Sequence, residues 1–88
     1  MNGELGADCD GKLTGIRFHG DFATGAYASW GPTVATRVPV HATGPYVVRA
    51  SNSTSRAIFT NDPPAGAFRG FGVPQVALVH EQMMDKLA

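Results

Sequence analysis

Ala67-Phe68-Arg69-Gly70-Phe71-Gly72-Val73-Pro74-Gln75 is where this 88-residue chain turns from a bare loop into a helix. Pro74 suits a first helical turn, where its missing N–H costs nothing. Beyond it, Val76, Val79, Met83 and Leu87 recur at helical spacing, with Glu81, Gln82, Asp85 and Lys86 largely off that stripe. A helix over 75–88 follows, packed on something through one face. Before it, glycines leave the backbone open to close approach. Two phenylalanines and an arginine between small residues suggest a pocket wall; a plain turn would more often carry Asn, Asp or Ser.

Working outward, Asn61 to Pro74 reads as one loop. Tyr46 to Ala50 and Arg56 to Thr60 read as two strands, or as one long strand interrupted by Ser51-Asn52-Ser53-Thr54-Ser55. Pro32 opens a second helix, Thr33 to Ala42, with Val34, Val38 and His41 on one side and Arg37 close by. Pro39 removes a hydrogen bond inside it, so a short or kinked helix ending near Gly44-Pro45 is expected. Lys12 to His19 reads as a strand, with Ile16 and Phe18 on one face and Arg17 and His19 on the other. Asp10-Gly11 is a hairpin signal before it. Asp21 to Pro32 reads as a glycine-rich loop, and Met1 to Gly11 as a ragged start or a turn. Together these elements describe an α+β fold, a small two-layer α/β sandwich.

Composition excludes several functions. Seven basic residues balance seven acidic ones, which gives no electrostatic case for nucleic acid or an acidic membrane surface. Cys9 is the one cysteine, so neither an internal disulfide nor a zinc cluster is available. No apolar run is long enough for a transmembrane helix, and residues 1–10 lack a signal-peptide layout. A cytoplasmic protein without membrane attachment is the plain expectation. His19, His41 and His80 match no metal-binding pattern and read as structural or surface residues. Glu81 reads as solvated.

The loop, with Asn61-Asp62-Pro63-Pro64-Ala65-Gly66 before it, resembles the active-site loop of molybdenum hydroxylases, the xanthine dehydrogenase and aldehyde oxidase family. Gly25 to Arg37 and His41-Ala42-Thr43-Gly44-Pro45-Tyr46 are similar to the same large, molybdopterin-binding subunit. The resemblance runs from about Asp10 to Ala88, a small slice of such a subunit. It implies that residues 1–88 are one fragment of a larger molybdopterin-binding domain.

The resemblance also implies roles. Arg37 matches the arginine that holds heteroaromatic substrate and stabilises charge on the ring, a task suited to a guanidinium. Phe71 matches the ring that stacks on substrate; Phe68 is the more natural anchor of the loop to the sheet. Phe68, Arg69 and Gly70 match positions beside the molybdenum–pterin. On composition alone, Arg37 reads first as a surface arginine of the helix, and Arg69 equally as a partner of Asp62. No catalytic residue and no metal ligand is assigned within the chain, because the family's glutamate base lies elsewhere in the subunit. FAD and iron–sulfur clusters belong to other domains or subunits, and the cysteine spacing of such clusters is missing here.

The implied activity is hydroxylation of N-heteroaromatic, purine-type rings with water as oxygen source, in company with the rest of the subunit and its iron–sulfur and FAD partners. An aldehyde, nicotinate or aromatic-thioester oxidoreductase of the same family is the alternative, as is a non-catalytic stand-alone module. The isolated chain is expected to be inactive and to hold no metal.

Overall fold

A computed structural model describes residues 1–88. The elements run β1 (Asn2–Ala7), β2 (Leu13–Gly25), α1 (Gly31–Val40), β3 (Ala50–Phe59) and α2 (Val73–Leu87). The sheet order is β1-β2-β3, with β1 antiparallel and β3 parallel to β2. A parallel pair needs a crossover, and α1 supplies it.

Period-two alternation decides the faces of β2. Ile16, Phe18 and Gly20 are buried, while of the residues between them Arg17 is exposed and His19 half-buried. Phe18, Val38, Ala42 and Val76 form the centre of the core, with Phe22 and Val79 packed against it. Both helices therefore lie on one face of the sheet, and the expected two-layer sandwich is present. Fully burying a side chain such as Val76 stabilises by about 1.5–3 kcal/mol.

Four expectations need correction. Met1 to Gly11 is not ragged: Asn2 to Leu5 pair in register with His19 to Ile16. The Asp10-Gly11 turn is real, closed by the Asp8 carboxylate accepting from the N–H of Asp10 and Lys12 at 3.1 and 2.8 Å. Next, β2 does not stop at His19 but runs on to Gly25, because the β3 partner extends along it. Third, Ser51 to Ser55 form the middle of β3, while Tyr46 to Arg49 lie outside any strand. Fourth, His41 is exposed, and the helix buries Ala35 with Val38.

The third correction explains a further one. Pro39 lies inside α1 without breaking it at that point. Its missing N–H would orphan the carbonyl of Ala35, one turn back. Ser55 Oγ–H donates to that carbonyl at 2.7 Å. The polar run in β3 thus supplies the donor that the proline removes.

On α2, Val76 is buried and Val79 and Met83 are half-buried, as the stripe requires, but Leu87 is exposed and His80 takes a buried place. Gly44, at φ 57°, lets the chain lie directly on the His80 ring; a Cβ there would come 2.8 Å from Nε2. Glu81 is exposed but not free. It accepts from Tyr46 Oη at 2.8 Å and lies 3.1 Å from His80 Nε2. The hydrogen bond to Glu81 pushes the Tyr46 phenol up from its ordinary range.

Candidate functional site

After β3, the chain is first tied down and then released. Thr60 N–H donates to Gly25 O, Ala26 N–H to Asp62 O and Ala65 N–H to Thr24 O, at 2.9 to 3.1 Å. These bonds continue the β2–β3 seam past its last strand pair. From Gly66 to Gly70 no N–H finds an acceptor within the chain. Order then returns: Phe71 N–H donates to Phe68 O and Val73 N–H to Gly70 O, both at 3.0 Å.

That last turn is left-handed throughout. Gly70, Phe71 and Gly72 have φ of 98°, 48° and 92°. Glycine takes such angles without steric cost, whereas a phenylalanine there stores roughly 1–3 kcal/mol. Gly72 is also the point where the loop meets α1. A Cβ at Gly72 would lie 2.6 Å from Val34 O and 3.5 Å from Arg37 Cβ. Only a residue without a side chain allows this approach. The loop is therefore seated on the turn of α1 that carries Arg37.

A cavity of about 280 Å³ opens beside this contact, with Val34, Phe68, Arg69, Phe71 and Gln75 among its walls. Phe71 is half-buried, and Trp30 meets it edge to face with ring centroids 6.4 Å apart. Arg37 and Arg69 are exposed, and neither enters an ion pair or side-chain hydrogen bond. Arg69 does not pair with Asp62. Phe68 is 86% exposed and anchors nothing, against the expectation. The anchoring falls instead to Gly72 on α1 and to Trp30 against Phe71.

Gly72 thus sets the loop of Phe68, Arg69, Gly70 and Phe71 against the α1 turn that carries Arg37; Phe68, Arg69 and Phe71 line the cavity, and Arg37 does not. Sequence reasoning passed over Trp30 and Gln75. Gln75 had a legible signal: a lone amide directly after Pro74, in an otherwise apolar first turn. Trp30 had none, because its relation to Phe71 crosses 41 positions. No group of three His, Cys, Asp or Glu side chains is placed to hold a metal ion, and no helix is long and apolar enough to cross a membrane.

Residues 1–88 match the family described as molybdopterin cofactor-binding domain. The chain belongs to that family. It is 48% identical over 88 residues to the nicotinate dehydrogenase large molybdopterin subunit of Eubacterium barkeri, covering all of this chain and 21% of that protein. It is 38% identical over 88 residues to a putative xanthine dehydrogenase molybdenum-binding subunit of Escherichia coli K12, again over the whole chain and 12% of the relative. A third relative, the nicotine 6-hydroxylase large subunit of Paenarthrobacter nicotinovorans, is 35% identical over 89 aligned positions, 97% of this chain and 11% of that one. The chain spans about a fifth or less of the length of these curated relatives.

Proposed function

We propose that this chain is one part of a larger molybdopterin-binding domain, in the catalytic subunit of a hydroxylase acting on N-heteroaromatic rings. The observation that carries the reading is the seating of Gly72 on α1, which joins an unpaired guanidinium and a half-buried phenyl ring to one loop. Two properties of the whole chain support its being a part. Its radius of gyration is 14.2 Å. A compact domain of this length would have about 12 Å. Tyr27, Trp30, Val47, Phe59 and Phe68 are all more than half exposed, the kind of apolar surface that further protein would cover.

The residues present fit the family's cofactor. The N–H groups of Phe68, Arg69 and Gly70 lack internal acceptors, and Arg69 lacks a counter-ion. Such a donor set suits an anionic, oxygen-rich group. These three residues would hold molybdopterin, which when bound supplies the redox centre that takes electrons from substrate.

Arg37 grips an anionic or carbonyl oxygen on the substrate, and its hold strengthens as negative charge builds on the ring. Phe71 covers the flat face of that ring, worth about 0.5–1.5 kcal/mol beyond burial. The base that activates water, the iron–sulfur clusters and the FAD belong to other parts of the subunit or to its partners.

A second reading, narrower in substrate, is favoured by the higher identity to the nicotinate dehydrogenase subunit. A pyridine carboxylate offers Arg37 the forked two-oxygen acceptor that a guanidinium matches best, whereas a purine offers single oxygens. The test is turnover by the complete enzyme in isotopically labelled water, with nicotinate and xanthine as substrates. Label in a hydroxylated product is the expected result, with nicotinate the better substrate. A product carrying no label from water, or no turnover of either ring, would reject the reading.

A further inference from the structure

Two residues other than glycine have left-handed backbone angles, Ser29 at φ 40° and Phe71 at φ 48°. They are 42 positions apart, yet both bear on one aromatic contact. Ser29 directly precedes Trp30, and Trp30 meets Phe71 edge to face, with an interplanar angle of 68°. Strain of this kind persists only where surrounding structure imposes it, and it gathers where geometry serves function.

Trp30 adds a third local oddity. It is the N-cap of α1 and makes no side-chain capping bond, at a position that favours Ser, Thr, Asp or Asn. Burial does not explain it either, since Trp30 is 59% exposed. Helix initiation and core packing therefore gain little from this indole. The one aromatic pair it enters is with the Phe71 ring.

We infer that Trp30 is a positioning residue that fixes the plane of Phe71 for stacking on a planar heteroaromatic substrate. The inference rests on the reading of Phe71 as the stacking ring. An aromatic ring on a glycine-flanked hinge swings freely unless another group packs against it. Trp30 does so from the start of the helix that also carries Arg37. The plane of the stacking ring and the direction of the gripping arginine are thereby referred to one rigid element. Stacking on a flat ring is much the same before and at the transition state, so its loss belongs in KM more than in kcat.

The test has two arms. In the complete enzyme, Trp30→Ala is expected to raise KM for an N-heteroaromatic substrate roughly tenfold, the upper range of an aromatic pair, with kcat and molybdenum content little changed. Trp30→Phe should remain within about threefold of wild type, because an aromatic partner is kept. Combining Trp30→Ala with Phe71→Ala should add little to Phe71→Ala alone. Full additivity, or equal losses in Trp30→Ala and Trp30→Phe, overturns the inference. If Trp30→Ala does not assemble, Trp30→Leu against Trp30→Phe carries the same contrast.

The second arm does not depend on activity. It is read on the 88-residue chain by itself, in which Trp30 is the one tryptophan. Phe71→Ala should move its emission to longer wavelength, and unchanged emission overturns the pairing. An enzyme that turns over no heteroaromatic at all, with emission that still responds to Phe71→Ala, rejects the proposed function while the pairing itself stands.

Discussion

Arg56 and Arg37 are both exposed arginines on regular elements, and they are used in opposite ways. On the open face of the sheet, Arg56 forks onto Asp21 at 2.7 and 2.9 Å, and Arg17 reaches Glu4 at 3.1 Å. Beside the loop, Arg37 and Arg69 have no acidic partner. Arg49, also unpaired, immediately precedes β3; like Arg37 it is not a wall of the cavity, but it is Arg37 that lies beside Gly72 of the loop. A permanently charged group with its donors already bonded stabilises what it touches, weakly at a surface. One with its donors free, beside bare backbone, is available to a ligand. The comparison separates arginines that serve the fold from arginines that serve the site.

The largest effect expected is at the hinge that makes the second kind possible. Gly72→Ala places a Cβ against Val34 O in a left-handed conformation. Steric overlap and the backbone angle together should cost about 2–4 kcal/mol, read as a fall in the denaturation midpoint. If stability is unchanged, the loop is not seated on α1, and Arg37 and Phe71 lose their common frame.

Next comes Arg37→Met in the complete enzyme. Loss of a charge-assisted bond should lower kcat/KM for a heteroaromatic substrate by roughly ten- to a hundredfold, with stability barely altered. An aldehyde, which offers the guanidinium little, should lose much less. Equal losses for both substrate classes would remove Arg37 from the gripping role and place it among the structural arginines.

How much of this was legible follows from how local each signal is. The α2 stripe and the two faces of β2 were readable because periodicity is a property of consecutive residues. Strand β1 was not, since its glycines and Glu4 carry little strand signal and it exists through pairing with β2. The same holds for Ser51 to Ser55, whose composition says turn while Ser55 answers the carbonyl orphaned by Pro39, from 16 positions away. At the site, resemblance named Arg37, Phe71 and the loop. It gave no hint that Phe68 is exposed or that Trp30 meets Phe71, because both facts depend on how α1 and the loop come together.

The smallest effect lies on the paired side. Asp21→Asn removes the negative charge and one of the two oxygens that accept from Arg56, and with them the carboxylate 3.4 Å from His19. The hydrogen bond from Arg56 holds the Asp21 carboxyl below its usual range. A carboxyl lowered on folding stabilises the native state above its unfolded value of about 4, and the contribution fades as pH falls through the lower, folded value. Wild type should therefore be slightly more stable than Asp21→Asn at neutral pH, and the difference should vanish in acid. Because the pair is exposed, salt should shrink it as well. Denaturation midpoints for the two proteins across the acid range check this, alongside turnover at neutral pH. An Asp21→Asn enzyme that keeps its stability but loses activity would reverse the comparison, since the arginine with a partner would then be the one the reaction needs.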